Sequence, residues 1–256
     1  MAQEPFLVTE LFEQKICDYT NAPYAVAVDN LSSAIYLCLM YEKQFGKTDP
    51  DVSKIIIPNR TYPSVPCEII NAGYSVQFEQ IETEYLEGSY QLKPTNIWDS
   101  ALLFTSDMYQ SNQTICLSFS GAYKNLKLGK GGCILTDNEY QYEWLKKARN
   151  SGRSEVSYHD DNFQMIGKNS YMLPEISARA LVLMGQFYNP DGSKISNKPL
   201  TIKYPDLSKF KVYTKESETL KMKKYIDYLQ EKLDGNFLEF NEWKNHRSRV
   251  ESLNNK

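Results

Sequence analysis

The chain has very little of several things that carry chemistry elsewhere. Two histidines, His159 and His246, and five cysteines with no C-x-x-C spacing leave nothing from which a familiar zinc cluster could be assembled. The cysteines (17, 38, 67, 116 and 133) are odd in number and set in apolar stretches, so they read as small buried side chains in a reducing compartment. No apolar run approaches the ~20 residues that cross a bilayer, mean hydropathy is −0.52, and the expectation is no membrane contact. The first residues lack the basic and apolar stretches of a secretory signal, so the expected address is the cytosol. Nor is there a charge excess: 29 Lys and Arg face 32 Asp and Glu, which is not the footprint of a nucleic-acid binder. The mildly basic stretch after Lys209 reads as a solvated helix face.

What is present is a core. In 256 residues, 41% are apolar and 13% aromatic, enough for one large α/β unit or a domain with an appendage. Residues 6–19 carry Leu7, Leu11, Phe12, Ile16 and Tyr19 at helical spacing. A short apolar strand at 24–28 precedes a helix from Ser32 to Phe45. A strand at 55–57 precedes a helix ending at Gly73, and a third strand follows at 75–78. This β-α-β-α-β order predicts a mostly parallel central sheet covered by helices. Further strands are expected at 96–98, 115–119 and 133–136, and helices at 138–149, 175–187 and 215–233. The stretches 151–171 and 189–210 read as long loops, the second rich in Pro, Gly, Ser and Asn.

The most informative segment is SFSGAYKNLKLGKGG, from Ser118 to Gly132. A lysine follows a strand, and a glycine-rich turn then leads into another strand rather than into a helix, so this is no P-loop. Asp99 is expected at a strand end, where parallel sheets place ligand groups. The Asp29–Ser33 stretch joins strand to helix with N–H groups and hydroxyls suited to an anion. Tyr62 follows the next strand. An amine, a carboxylate, an anion site and an aromatic platform are what an aldehyde cofactor with a ring nitrogen and a phosphate requires.

These motifs resemble, in order, those of the DegT/StrS group of pyridoxal-phosphate (PLP) dependent sugar aminotransferases, of fold type I. IPNRTYP from Ile57 resembles the family's Pro-Ser-x-Thr-aromatic turn, and Lys124 with Gly129, Gly131 and Gly132 has the spacing of its K-N-L-x-x-G-x-G-G. RNSG from Arg149 and GKNSYM from Gly167 resemble its R-N-x-G and G-x-N-x-R-M. The resemblance implies that Lys124 bonds PLP and shuttles a proton, that Asp99 pairs with the ring nitrogen, and that Tyr62 stacks on the ring. It implies that Leu31 and Ser32 lie at the phosphate, that Ser118 or Ser120 takes the place of a family serine now Phe119, and that Asn169 reaches the phosphate of a neighbouring subunit in a homodimer. The implied reaction moves an amino group from an amino-acid donor to a keto-sugar, nucleotide-linked in the family. Leu31, Leu102 and Tyr171 depart from the family pattern and keep open a non-catalytic relative, and a PLP-dependent sugar dehydratase is a further alternative, although Lys124 favours transamination. The resemblance fades after Phe187, giving an expected cofactor domain over residues 1–188 and a connector with a reduced C-terminal segment over 189–256.

Overall fold

The computed structural model describes residues 6–46, 54–154, 156–157, 159–213, 225 and 228–229. Helix α1 (Leu7–Thr20) buries Phe12, Ile16 and Tyr19, and stops where Asn21 turns left-handed at φ 62° and returns its N–H to Cys17. Leu7 and Leu11, counted in its apolar stripe, instead face outward at 53% and 54% exposure. The buried face is completed by Thr9, Glu13 and Thr20. Strand β1 (Tyr24–Val28) leads to α2 (Leu31–Phe45), β2 (Lys54–Pro58), α3 (Ser64–Asn71) and β3 (Ser75–Glu79). There follow β4 (Tyr85–Gln91), β5 (Ile97–Leu102), β6 (Thr114–Ser118), β7 (Gly132–Thr136), α4 (Glu139–Ala148), α5 (Pro174–Met184) and β8 (Thr201–Lys203).

The α/β class and the covering helices are as read, but the sheet is mixed. Its order is β1-β7-β6-β5-β4-β8, with β5 and β6 the only parallel neighbours in it. Strands β2 and β3 form a separate parallel pair, tied to the chain after β4 by two hydrogen bonds between Ile56 and Lys93. The expected β-α-β-α-β order is therefore present, while the strand partner of β1 among the described residues is β7, antiparallel.

Alternation along the central strands feeds two cores. Val26, Val28, Cys116 and Ile134 face α2, α3 and α4, whereas Ala25, Ala27, Leu117, Cys133 and Leu135 face α1 and α5. Each fully buried Ile, Leu or Phe here stabilises the fold by roughly 1.5–3 kcal/mol. Charged groups are buried as well. Arg149, at the end of α4, is 1% exposed, pairs with Glu13 of α1 and donates to the Ala27 carbonyl at 2.8 Å. Glu13 in turn accepts from the Ala27 N–H at 2.8 Å, so one ion pair clasps α1, β1 and α4.

The two motifs that begin at Arg149 and Gly167 are halves of one clasp. Lys168 N–H donates to Ala148, Ser151 N–H to Lys168, and Ser170 N–H to Arg149. A β-carbon on Gly152 would lie 2.0 Å from the Met165 carbonyl oxygen, and one on Gly167 would lie 2.2 Å from Gly152 N. Only glycine at both positions lets the strands approach this closely.

Residues 1–215 make one compact unit, and residues 216–256 make another that lies almost wholly outside the described residues, as does the helix expected at 215–233. The stretch expected as a connector from 189 packs within the first unit. Tyr19 donates to the Ile195 carbonyl at 2.6 Å, Asn197 donates to the Tyr19 hydroxyl at 3.0 Å, and β8 pairs with β4.

Candidate active site

A cavity of about 440 Å³ opens where the N-terminus of α2, the turn after β2 and the glycine-rich segment after β6 converge. It is lined by Leu31 and Ser32, by Tyr62 and Ser64, by Ala101, and by Ser118, Ser120 and Lys124. Most of the residues singled out from sequence are thus brought together.

The α2 end is built for an anion. Asn30 caps the helix, its side chain accepting from Ser33 N–H at 2.8 Å, and the first turn from Asn30 to Ser33 lines the cavity. Ser32 and Ser64 join the helix ends of α2 and α3 through a hydroxyl pair at 2.6 Å. Leu31, the first residue of α2, lines the cavity yet is only 6% exposed, held in the core. This arrangement requires Gly132: a β-carbon there would fall 2.7 Å from Asn30 C and 2.8 Å from Leu31 N.

Lys124 is 5% exposed, and its amine donates to the Ala101 carbonyl. Burial pushes its pKa down to about 8, with the Asp99 charge pulling the other way. Asp99 is the third residue of β5 rather than its end, so the expected strand-end position is corrected: the strand runs on to Leu102. Two residues before Ala101, it shares the face of β5 that meets the cavity. It is 2% exposed; burial raises its pKa, while the Ala101 N–H at 2.8 Å, the Tyr90 hydroxyl at 2.8 Å and the Lys124 charge favour the ionised form.

The two candidate serines differ in role. The Ser120 hydroxyl ties the glycine-rich turn by accepting from Gly131 N–H at 3.2 Å, while Ser118 accepts weakly from Ser120 N–H at 3.4 Å. Phe119 between them is fully buried in the opposite core. Tyr62, half exposed, meets Tyr204 edge-on at 6.3 Å between ring centres. Asn169 is exposed and does not line the cavity; it forms a backbone bridge with Asn150. Leu102 is buried in β5, and Tyr171 bridges to Val28 and packs edge-on against Phe6.

Sequence reasoning missed Ser64, Glu68, Tyr123, Lys168 and Tyr204, all of which line the cavity. Lys168 is the variable residue of the G-x-N motif, and its amine sits 5.0 Å above the Tyr36 ring. Tyr204 arrives from the stretch read as connector, held by Arg60 donating to its carbonyl at 2.9 Å. Among the described residues no group of three or more His, Cys, Asp or Glu could hold a metal ion, and no helix is long and apolar enough to cross a membrane.

The fold is that of the PLP-dependent aminotransferases. It superposes on Helicobacter pylori PseC, an aminotransferase of pseudoaminic acid biosynthesis, with TM-score 0.56 and 18% identity over 70% of this chain and 57% of that one. The sugar aminotransferase CalS13 of Micromonospora echinospora gives TM-score 0.58 at 14% identity, covering 70% and 60%. DesV of S. venezuelae gives 0.54 at 19%, covering 73% and 57%. The chain thus spans less than two thirds of the length of each of these proteins. Residues 7–98 match the model of the DegT/DnrJ/EryC1/StrS aminotransferase family, the family that the motifs resemble. That match ends one residue before Asp99 and does not reach Lys124. No curated protein sequence matches the chain.

Proposed function

We propose that the chain binds PLP in the cavity around Lys124 and acts as a sugar aminotransferase. The observation that carries this reading is the cavity itself: a desolvated lysine, a helix N-terminus with paired hydroxyls and a tyrosine line it, and a buried carboxylate lies two residues before Ala101, on the strand that forms one wall. The donor set fits the group. Ser32, Ser64 and the first turn of α2 would hold the phosphate, Tyr62 would cover the ring, and Asp99 would hold a proton on the ring nitrogen. When bound, PLP supplies an aldehyde carbon and a ring that withdraws electrons. Lys124 supplies the amine for that carbon. With a pKa near 8 it is neutral often enough to take a proton from a substrate carbon and to return one. Its contact with the Ala101 carbonyl holds the amine over β5, on the side where Asp99 lies.

The fold neighbours support an amino acceptor of the sugar class, and we take the acceptor to be a keto-sugar, nucleotide-linked, with an amino acid as donor. A homodimer in the cytosol suits the same reading. The exposed Asn169 would then act at a neighbouring subunit's phosphate, as the family resemblance implies, while Lys168 serves the site of its own chain. Residues 1–188 would carry the cofactor, with Tyr204 from the following segment completing the wall.

The test is reduction of the PLP-treated protein with borohydride, followed by peptide mapping. The expected result is a single phosphopyridoxyl label on Lys124. A label on another lysine, or none, overturns the cofactor assignment. Conversion of the bound cofactor by glutamate to its amine form would support transfer, and its absence would favour a non-catalytic relative.

A further inference from the structure

Tyr90 stands outside the chemistry just described, yet it touches the carboxylate on which that chemistry depends. It lies on β4 directly across from Asp99, at a point where the register shifts between Gly88 and Tyr90. That irregularity re-aims the strand toward its neighbour. The Tyr90 hydroxyl donates to Asp99 Oδ2 at 2.8 Å and shares a 2.6 Å hydrogen bond with Thr61 Oγ1. A phenol has one proton; because Tyr90 gives it to the carboxylate, Thr61 must be the donor in the second bond. The chain therefore runs one way, from Thr61 to Tyr90 to Asp99. On the other oxygen, Oδ1 accepts from Ala101 N–H at 2.8 Å.

We propose that Tyr90 is a positioning residue for Asp99, one that holds its carboxylate charged and turned so that a remaining lone pair meets the ring nitrogen of PLP. This inference rests on the cofactor reading above. Each oxygen of the carboxylate carries two lone-pair sites, and one on each is already filled, by Tyr90 and by Ala101. The two donors fix the orientation of the carboxylate and favour its charged form. Thr61, 1% exposed, anchors the relay from the turn whose next residue, Tyr62, faces the cavity. Burial, reinforced by the Asp99 charge, keeps the Tyr90 phenol protonated and so a permanent donor.

The experiment measures affinity for PLP and for its 1-deaza analogue, in which a C–H replaces the ring nitrogen. The proteins are wild type, Tyr90→Phe, Thr61→Val, Asp99→Asn and the Tyr90→Phe/Asp99→Asn double variant, each checked by thermal melting. A hydrogen bond to a charged group sets the scale, so Tyr90→Phe is expected to weaken PLP about tenfold. Its effect on the analogue should stay within about twofold, and it should cost nothing further in the Asp99→Asn background. Thr61→Val, which leaves the phenol in place, should act in the same direction and less strongly. Equal losses for both ligands, or an undiminished loss in the Asp99→Asn background, would show a merely structural role and overturn the proposal. A wild type that binds neither ligand would overturn the cofactor reading and this inference with it, whereas one that binds both equally well would overturn the Asp99 contact and this inference alone.

Discussion

Replacing Gly132 by alanine is the sharpest mechanical test of the site. Gly132 opens β7, paired with Val28 on one side and Ser118 on the other, so its backbone cannot slide. An added β-carbon would meet Asn30 C at 2.7 Å, Leu31 N at 2.8 Å and Leu117 O at 2.9 Å. All three are backbone atoms, two at the entry to α2 and one in β6. None can swing aside as a side chain would, so the overlap must be relieved by displacing the helix end or the strand. Forced overpacking of this kind costs about 1–3 kcal/mol. For a unit of this size that is a fall of about 2–12 °C in melting temperature. Gly185 is the internal control: its φ is −55°, nothing lies within 4 Å of its would-be β-carbon, and alanine there should be neutral or stabilise by up to about 1 kcal/mol. Thermal melts followed by circular dichroism would compare the two variants with the wild type. A Gly132→Ala protein that melts with the wild type would refute the close approach of β7 to the α2 terminus. The same displacement should weaken PLP more than phosphate-free pyridoxal, because the helix terminus is the phosphate end of the proposed site.

Lys124→Met should stabilise the protein while abolishing the borohydride label. The lysine's pKa falls from 10.5 to about 8 on folding, so the unfolded chain binds the extra proton between those values and wild-type stability rises with pH across that window. The variant's advantage, up to about 3 kcal/mol below pH 8, should shrink toward pH 10.5; a pH-independent difference in urea midpoint would refute the burial argument. Tyr19→Phe removes the hydroxyl that binds Ile195 and Asn197 and should cost about 1–3 kcal/mol. Limited proteolysis should then cut faster within residues 189–200, and unchanged cleavage would sink that docking role.

The helices and most of the central strands are legible in the sequence because both faces of the sheet are covered and each strand is a short apolar run. Strand β4 escapes because it carries Glu87, Gly88 and Ser89 in a polar setting, and its identity comes from pairing with β5 and β8. Asp99 lies inside β5 rather than at its end, and the Tyr90 hydroxyl and the Ala101 N–H supply what makes a buried aspartate tolerable there; neither partner is legible from the local sequence. Lys124 and the glycine spacing could be found from local sequence, since each is a requirement of one turn. Tyr204 could not, because it reaches the cavity only through strand β8 and the Arg60 contact, more than 100 residues from the motif it faces.

The pairing of β1 with β7 also sets an order of assembly. Its hydrogen-bonding partner, β7, lies more than 100 residues later in the chain, and the Thr9 hydroxyl in α1 meets that of Ser177 only after α5 exists. Closing loops of that length is slow, and a growing chain must carry the first strand with an open edge throughout. Any truncation before Thr136 would leave that edge bare and prone to pair with another molecule. During synthesis, the earliest strand to emerge from the ribosome is therefore among the last to be enclosed.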